Sequence, residues 1–419
     1  MTLPHGLRAF RHRDYRLYFA GQGVSQIGTW LQLIATSWLI YRLSGSAFML
    51  GLSAFALQIP YLLIGPFAGM WVDRVTKRRV LFVTQSVALT QSLVLLALVG
   101  GGHIEAWHMI AGNLVLGTVN AFDSPARQSL LIELVGGRDD LPSAIAFSSA
   151  LMNGARFVGP MIGGAVIALA GEAWGFGLNS LSYCAVLAAL AAIRAAPRQV
   201  ETRSEPWLAQ VAAGFRWTYG FLPTRSALLL VAVVSVSVQP YQSLMPWFAK
   251  EVFHGDSQTL GLLIGSAGLG ALASMIYLAS RRTIRGLLGM IGWSAAAAGA
   301  GLVGFAFCKL LWLACLLLFV TGVGIMLTAG STNTILQFIV EDRLRARVVA
   351  IYMMSFLGVG PLGALAAGAL AERIGPPVAL ALGGAIALAG AAVYARRLPA
   401  IRREIAPLYD RLGVAPRRD

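Results

Sequence analysis

Charged residues are scarce in this chain of 419 residues, and acidic ones are the scarcest. Charged residues make up 12% of the sequence, with 18 Asp and Glu against 33 Lys and Arg, while apolar residues make up 57%. A soluble protein of this composition would be hard to keep in solution, because too few charged side chains would cover its surface. The composition is ordinary for a chain that lies in a lipid bilayer.

Cysteine is also scarce, and the spacings that bind metals are missing. Cys184, Cys308 and Cys315 have no C-x-x-C spacing and no clustered histidine near them, which argues against a metal site and against a disulfide framework. The sequence has no G-x-x-x-x-G-K-[ST] loop, and nothing in it resembles a nucleophile triad or a zinc site. We therefore expect no cofactor, no enzymatic activity and no direct use of ATP.

Long apolar runs, in contrast, fill the chain. A hydrocarbon core about 30 Å thick requires about 20 apolar residues of helix to cross it. Twelve runs meet this requirement and are predicted to be transmembrane helices, numbered here as spans 1 to 12. Their predicted bounds are 19–41, 47–72, 79–100, 105–126, 143–170, 174–193, 226–248, 258–280, 287–307, 311–335, 346–371 and 376–396. Span 1 is too long for a signal peptide and is predicted to be retained.

The basic residues predict the orientation of these spans. Of the 33 Lys and Arg residues, 28 lie in the two tails and alternate connections or at the span ends that border them. The remaining five are Arg42, Lys250, Lys309, Arg373 and, within span 5, Arg156. Cytoplasmic connections carry an excess of Lys and Arg. We therefore predict a multi-pass protein of the cell inner (plasma) membrane with both termini in the cytoplasm.

The net charge of +15 has two explanations. Strongly basic chains often bind nucleic acid. Here, however, the arginines flank apolar spans and form no folded basic domain, so they are interpreted as topology signals. No nucleic-acid partner is expected, whereas the bilayer is, with a weak attraction to anionic lipid head groups.

The longest polar interval divides the spans six and six. The predicted regions are an N-terminal six-helix bundle (1–193), a cytoplasmic linker (194–225), a C-terminal six-helix bundle (226–396) and a basic cytoplasmic tail (397–419). In the linker, four apolar and aromatic side chains fall near one face of a short helix: Trp207, Val211, Phe215 and Trp217. This pattern favours a helix lying along the membrane interface, and a flexible linker is the alternative.

The two predicted bundles repeat each other's features. The Gly-Pro pair 159–160 in span 5 recurs at 360–361 in span 11, and Gly69 in span 2 matches Gly270 in span 8. Transmembrane helices use glycine for close packing whatever their function. Several matches at a nearly constant offset nevertheless indicate repeated bundles, as in secondary transporters.

The connection after span 2 carries the most specific motif of the chain. It resembles the G-x-x-x-D-R-x-G-R-R motif between helices 2 and 3 of the major facilitator superfamily. The matching residues are Gly69, Asp73, Arg74, Lys77 and Arg78. The sequence departs from the pattern at Thr76, where the family usually has glycine, so the backbone geometry of the turn is in question.

Further segments extend this resemblance to nearly the whole chain. Gly21 to Arg79 and Asn120 to Gln128 are similar to the branch that contains the enterobactin exporter. The segment around Gly159, Pro160 and Gly163 resembles the helix 5 motif associated with antiporters. The resemblance implies an all-α membrane protein with twelve transmembrane helices in two pseudo-symmetric six-helix bundles, the major facilitator fold.

Arg156 lies about halfway along predicted span 5, and no acidic residue shares that span. An ionisable side chain at this depth costs about 2.5–3.5 kcal/mol on insertion scales, so it normally has a partner or faces a water-lined cavity. One hypothesis is a cavity cation that binds an anionic substrate. The alternative is a structural pair, with Asp123 or with helix carbonyl groups, and both stay open.

Asp123 and Arg127 are four residues apart near the cytoplasmic end of span 4, the spacing of a same-face pair. Together with Asp73 and the arginines of the turn, they are predicted to form an ion-pair lock on the cytoplasmic side. The resemblance implies the same gate. Asp123 as carrier of a coupling proton is the alternative, less favoured because boundary ion pairs are commoner than titrating acids.

Polar residues at helical spacing predict the walls of a substrate cavity. The candidate substrate-binding residues are Gln22, Gln26 and Trp30 on span 1, Arg156 on span 5, Gln239 and Gln242 on span 7, and Asn333 on span 10. Spans 1, 4, 7 and 10 are expected to line the cavity and spans 3, 6, 9 and 12 to face lipid, with span 3 an imperfect fit. Interhelical hydrogen bonds are the alternative for any single residue.

The resemblance implies a secondary active exporter, a proton antiporter that works by alternating access. The expected partners are a small organic solute such as a siderophore or a drug, and protons, and the expected state is a monomer. A proton-coupled importer of a small anionic nutrient, with Arg156 as its binding residue, is the alternative. A membrane enzyme is disfavoured for lack of any catalytic motif.

Overall fold

The structure, a computed structural model, describes residues 5–135, 140–194, 215–281, 283–340 and 342–411. Within these ranges the chain forms helices and no strand. The α-helices, labelled in chain order, are Arg13–Ser44 (α1), Ala47–Asp73 (α2), Lys77–Gly100 (α3), Ala106–Leu134 (α4), Leu141–Ala170 (α5), Glu172–Ala192 (α6), Leu222–Ser237 (α7), Tyr241–Trp247 (α8), Ser257–Ser280 (α9), Leu287–Ala306 (α10), Leu311–Ile339 (α11), Asp342–Met353 (α12), Gly360–Ile374 (α13) and Pro376–Arg411 (α14). A short 3-10 helix, His5–Arg11, precedes α1, and the π-helical segments Phe248–Val252 and Met354–Gly358 follow α8 and α12.

Each predicted span corresponds to one helix or to a consecutive pair. Spans 1 to 6 are α1 to α6, and spans 8, 9, 10 and 12 are α9, α10, α11 and α14. Span 7 consists of α7 and α8 with the π-helical segment that follows, and span 11 consists of α12, its π-helical segment and α13. Span 7 is interrupted next to Pro240, because proline has no backbone N–H to continue a helix.

Ten segments of the described chain are helical, long and apolar enough to cross a membrane, judged by length and composition. α1 and α4 are not among these segments, although they contain 32 and 29 residues. Their polar side chains lower their hydropathy: Gln22, Gln26 and Gln32 on α1, and Asn113, Asn120 and Asp123 on α4. A span that faces a cavity tolerates polar residues that lipid would exclude.

Local sequence explains where the helices begin and end. α1 ends at Gly45, whose φ of 62° is left-handed and whose N–H bonds to the carbonyl oxygen of Tyr41 at 2.8 Å; glycine adopts this conformation without strain. Ser46 then caps α2 by accepting a hydrogen bond from the N–H of Met49 at 3.2 Å. α1 and α4 extend past the predicted limits, because hydropathy detects only the apolar part of a helix.

The chain divides into two compact units. The first consists of Met1–Arg203 and Met245–Gly265, and the second of Ser204–Leu244 and Ser266–Asp419. The segment Met245–Gly265, from the second half of the sequence, therefore groups with the first unit. Residues 195–214, with Trp207 and Val211 of the predicted interfacial helix, lie outside the described residues; 215–220 are helical.

In the first unit, α1 packs against α5 and α6, and α4 packs against α2 and α3. The approach of α2 and α4 is close at Gly117, where an added Cβ would clash with the carbonyl oxygen of Leu57. At one end of the unit, Tyr15, Leu81, Leu130 and others form a buried apolar cluster. Helices in lipid have no hydrophobic driving force to associate, so their association depends on van der Waals packing, and small residues at the crossings allow the backbones to approach closely.

In the second unit, α10 packs against α11 and α14, and α7 packs against α14. α10 and α14 cross at Gly299 and Gly384, where an added Cβ on Gly299 would lie 2.7 Å from the carbonyl oxygen of Gly384. α14 continues without interruption to Arg411, and Ile401 and Ile405 are buried. Residues 397–411 are thus helical and packed.

Candidate functional site

The first unit contains a partly open space that we call the inner cavity. Its volume is about 270 Å³, and its wall is built mainly from α1, α4 and α5, with Asn179 from α6. The polar and aromatic lining includes Gln26, Trp30, Asn120 and Arg156. The structure therefore brings three of the predicted substrate-binding residues to one place.

A larger space adjoins the inner cavity, and we call it the cleft. Its volume is about 670 Å³, and it is lined by α1, α4 and α5. Gln26 and Met152 line both spaces. Gln22 and Arg127 line the cleft, so residues predicted to bind substrate and to form a gate share one wall.

Helical spacing explains why these side chains converge. Gln22, Gln26 and Trp30 lie four residues apart on α1, and Met152 and Arg156 lie four apart on α5. Residues at this spacing occupy the same face of a helix. α1 and α5 are packing neighbours, so their polar faces meet along a single wall.

Arg156 is partly buried on the wall of the inner cavity, with Asn113 and Asn120 among the other lining residues. Asn113 is held by α2, because its Nδ2 donates to Ser53 Oγ at 2.7 Å. The guanidinium thus lies in a polar setting within the bundle, as a membrane-embedded cation requires.

Asp123 is a buried carboxylate, 4% exposed, with three side-chain partners. One carboxylate oxygen accepts a hydrogen bond from Arg127 Nε and forms an ion pair with this guanidinium. The other accepts hydrogen bonds from Thr84 Oγ1 at 2.9 Å and Gln85 Nε2 at 2.7 Å. The Arg127 side chain is 23% exposed and reaches the cleft. An anion in the cleft would therefore compete with Asp123 for this guanidinium.

A chain of buried amides crosses the first unit. Asn179 Nδ2 donates to Gln32 Oε1 at 2.6 Å, and Gln32 Nε2 donates to Gln91 Oε1 at 3.0 Å. Gln91 is a polar residue of span 3, which is an imperfect fit for a lipid-facing helix, and this hydrogen bond accounts for its presence there. Sequence reasoning missed Asn179, although a lone asparagine in an apolar helix was an available signal.

The glycines of the α5 motif mark close contacts between helices. An added Cβ on Gly159 would lie 2.6 Å from Trp30 Cβ, and one on Gly163 would lie 3.2 Å from Leu31 Cα. The carbonyl oxygen of the next residue, Gly164, accepts a hydrogen bond from Ser257 Oγ at 3.1 Å. This motif, which includes Pro160, holds α5 tightly against α1 and the start of α9.

Two basic side chains hold the turn after α2 by donating hydrogen bonds to backbone carbonyl oxygens. Arg78 Nη2 donates to the carbonyl oxygen of Ala191 at 2.8 Å, and Lys77 Nζ donates to that of Val75 at 3.2 Å. Arg74 is exposed, Gly69 has open space where a Cβ would lie, and the side chain of Asp73 lies outside the described residues. Thr76 has φ −60° and ψ 115°, a conformation open to any residue, so the turn does not require the family's glycine.

The remaining predicted residues belong to the second unit. Gln239 accepts a hydrogen bond from Ser235 at 3.2 Å, and Gln242 Nε2 donates to the Tyr241 hydroxyl at 3.2 Å. Asn333 Oδ1 accepts from Gln337 at 3.2 Å. Neither the inner cavity nor the cleft has any of these three predicted residues in its described lining.

Comparison with known proteins places the chain among transporters. It matches the family model described as transmembrane secretion effector over residues 5–410. The multidrug efflux pump Tap of Mycobacterium tuberculosis is 29% identical over 415 residues, covering 93% of each chain. The Staphyloferrin A transporter of Staphylococcus aureus is 24% identical over 364 residues, covering 86% of this chain and 90% of that protein.

Solved structures show the same fold at low identity. The nucleoside transporter NupG superposes with a TM-score of 0.69 at 12% identity, covering 94% of this chain and 99% of that one. A bacterial homologue of the iron transporter ferroportin gives a TM-score of 0.67 at 16% identity, covering 93% and 98%. These likenesses confirm the predicted fold, and the family confirms that the chain is a transporter and not an enzyme. The chain belongs to the transmembrane secretion effector family of the major facilitator superfamily, and it is a multi-pass membrane protein that transports small molecules.

Proposed function

We propose that this protein is an exporter that exchanges a small organic anion from the cytoplasm for an inward-moving proton, by alternating access. The observation that carries the proposal is the polar wall formed by Gln22, Gln26, Trp30, Arg127 and Arg156 in the first unit. Efflux and siderophore transport in the relatives support the direction and the class of solute.

The chemistry of this wall defines the solute. Arginine binds carboxylates through paired hydrogen bonds, and its planar group also stacks on aromatic rings. Glutamine and asparagine amides supply donors and acceptors, and Trp30 supplies a flat apolar surface. An amphiphilic solute with a carboxylate and a ring system, such as a siderophore or an anionic drug, fits this combination.

Asp123 and Arg127 are the proposed coupling pair. Asp123 is the one acidic side chain that is buried in the described part of the chain. Exchange requires the solute and the proton to bind in turn. The solute would bind while Asp123 is charged and paired with Arg127, and after its release outside a proton taken up by Asp123 would break this ion pair. Release of that proton to the cytoplasm would restore the pair, which links the two movements in opposite directions.

The motif residues are the proposed gates. The turn carrying Gly69, Asp73, Arg74, Lys77 and Arg78 would close the cytoplasmic side when the other side opens. The α5 segment of Gly159, Pro160 and Gly163 would seal the opposite side, because tight helix contacts exclude water. The proposed state is a monomer in the plasma membrane, and the distribution of Lys and Arg supports a cytoplasmic position for both termini.

Transport direction and coupling are tested together in everted membrane vesicles. Anionic siderophores and drugs, chosen from those that become more toxic or accumulate in a deletion strain, should enter everted vesicles when the interior is acidified. Dissipating the proton gradient should abolish the uptake. Uptake by right-side-out vesicles instead would replace this proposal with an importer of an anionic nutrient, and transport unaffected by the gradient would remove the coupling role of Asp123.

A further inference from the structure

The first unit contains a third cavity, the α3–α4 groove, which shares no lining residue with the inner cavity or the cleft. Its volume is about 490 Å³, and its described lining comes from α3 and α4 alone. The walls are mostly apolar, with Val87, Val94 and Leu95 on one side and Trp107 and Val115 on the other. Transport through the inner cavity gives this groove no role.

The α3–α4 groove opens outward from the bundle. Val87, Val94, Trp107 and Val115 are 40%, 52%, 58% and 42% exposed. Exposed apolar side chains on membrane-spanning helices face lipid. Its lining on α3 runs from Ser86 to Leu98, a length of about 18 Å at the helical rise. This length compares with about 15 Å for the hydrocarbon of one leaflet.

Gln91 is the one buried side chain among the polar residues that line this groove. Gln91 is only 8% exposed, and its Oε1 is occupied by the hydrogen bond from Gln32. Its Nε2 is buried and has no hydrogen-bond partner. The amide of Gln91 cannot turn round by itself, because its nitrogen would then face Gln32 Nε2. While Gln32 and Asn179 keep these orientations, the free donor of Gln91 lies next to the groove.

Gly112 on α4 lies next to this donor in the groove. An added Cβ on Gly112 would lie 2.8 Å from Gln91 Nε2 and 3.2 Å from Leu95 Cδ1. Any larger residue at 112 would displace the amide or cover it. A buried donor in surroundings that lack water is destabilising until it finds an acceptor. Hydrocarbon chains offer no acceptor, so lipid tails in the groove would leave the Gln91 donor without a hydrogen bond.

We propose that the α3–α4 groove binds an apolar organic molecule that is dissolved in the bilayer and carries a carbonyl oxygen, which accepts a hydrogen bond from Gln91 Nε2. The ester carbonyls of a phospholipid lie near the membrane surface, whereas Gln91 lies about 14 Å along α3 from its end at Gly100. A membrane-soluble ketone or amide with a compact apolar body reaches this depth and fits the walls.

The same amide chain connects the groove to the inner cavity. Gln32 and Asn179 line the inner cavity, while Gln91 lines the groove. A ligand that fixes Gln91 therefore also fixes the amide of Gln32 on the cavity wall. The proposed binding does not depend on export, because it concerns occupancy of a membrane-facing site.

Photolabelling with benzophenone, a compact apolar diaryl ketone that inserts into C–H bonds under ultraviolet light, tests the proposal on the full-length protein. The protein is reconstituted in phosphatidylcholine nanodiscs, and adducts are mapped by mass spectrometry. We expect adducts concentrated within 86–98 and 107–115. Diphenylmethane, which has the same shape without the ketone, should compete about five-fold more weakly than unlabelled ketone in the dark, the effect of one net hydrogen bond.

Matched variants identify the site. Ala111→Trp fills the groove from an exposed lining position and should abolish the adducts, whereas Leu114→Trp, on the same helix and 47% exposed but outside the lining, should leave them unchanged. Gln91→Leu and Gly112→Ala should each remove the preference for the ketone, with size-exclusion profiles showing intact protein. Adducts spread evenly over exposed faces, equal competition by diphenylmethane in the wild type, or labelling unaffected by Ala111→Trp would each overturn the proposal. Labelling is read without transport, so failure of the export proposal leaves this result interpretable.

Discussion

The two halves of α5 contrast with each other. In the first half, Ile145, Ser148, Ser149 and Met152 line the cleft, and Gly154 has open space where a Cβ would lie. In the second half, residues 159–164 are packed against α1 and the start of α9, with glycine wherever the helices approach most closely. Arg156 lies between the two halves, on the wall of the inner cavity.

This contrast shows how one helix can both admit a solute and seal against it. The open half lies at the end of the first unit where α2 ends and α3 begins. The packed half leaves no room for an added methyl group at Gly159. An alternating-access transporter needs one accessible side and one closed side at any moment. The predictions below test whether charge controls the open half and packing controls the closed half.

The largest effect is expected for Asp123→Ala, which leaves Arg127 without its carboxylate at the open half. Breaking a buried ion pair costs about 3–5 kcal/mol, and the exposure of Arg127 to the cleft reduces this to about 2–3 kcal/mol. Transport should fall to background. Thermal unfolding of the purified protein and vesicle uptake measure the two effects.

The double variant Asp123→Leu with Arg127→Leu is the control for that experiment. Removing both charges should bring stability back to within about 1 kcal/mol of the wild type, because no uncompensated charge remains. Transport should stay absent, since the coupling pair is gone. A single variant as stable as the wild type would show that Arg127 does not depend on Asp123.

The packed half is tested by Gly159→Ala, with Gly154→Ala as the matched control on the same helix. The new methyl group at 159 meets Trp30, and overpacking of this kind costs about 1–3 kcal/mol. At 154 the methyl group meets nothing within 4 Å, so stability should be unchanged or slightly higher. Equal melting temperatures of the two variants would contradict the tight seal.

Substitutions of Arg156 distinguish a role in substrate binding from a structural role. Arg156→Ala should raise the KM for an anionic solute about ten-fold, equivalent to about 1.4 kcal/mol of lost binding, while the melting temperature changes little. Arg156→Lys keeps the charge but loses paired hydrogen bonding, so its KM should lie between that of the wild type and that of Arg156→Ala. A large loss of stability with unchanged KM would make Arg156 a structural residue.

The smallest effect is expected for Thr76→Gly, which restores the family's glycine in the turn. Thr76 makes no side-chain cap hydrogen bond and has an ordinary backbone conformation, so stability should change by no more than a few tenths of a kcal/mol. Transport rates should also be unchanged. A clear gain in transport would show that threonine restrains the turn and that the open half is controlled by backbone geometry.

Spacing along single helices predicted part of the candidate site. Gln22 and Gln26 on α1 and Arg156 on α5 were expected to face one cavity, and the structure places all three on adjoining walls. These expectations succeed because a helix of known period presents residues four apart on one face. The role of these residues in substrate binding stays a prediction.

Residue spacing along a helix could not predict which side chains pair between different helices. The partners of Asp123 on α3, Thr84 and Gln85, were not predicted, and neither was the link of Gln91 and Asn179 through Gln32. The predicted lock between Asp123 and the turn of Asp73 stays untested. Periodicity defines the face of a helix but not its neighbour or its rotation against that neighbour.

Sequence alone determined that the chain crosses a membrane twelve times as helices and belongs to a known transporter superfamily. The reason is that hydrocarbon forces every backbone polar group into local hydrogen bonds, so long apolar runs indicate the helical spans, although the polar residues of α1 and α4 keep these two below the limits of length and composition that the other ten meet. Only the tertiary structure decided which polar groups satisfy one another, where glycine permits contact, and that Gln91 has one free donor next to a groove. Those outcomes depend on sub-ångström packing between helices that are distant in sequence.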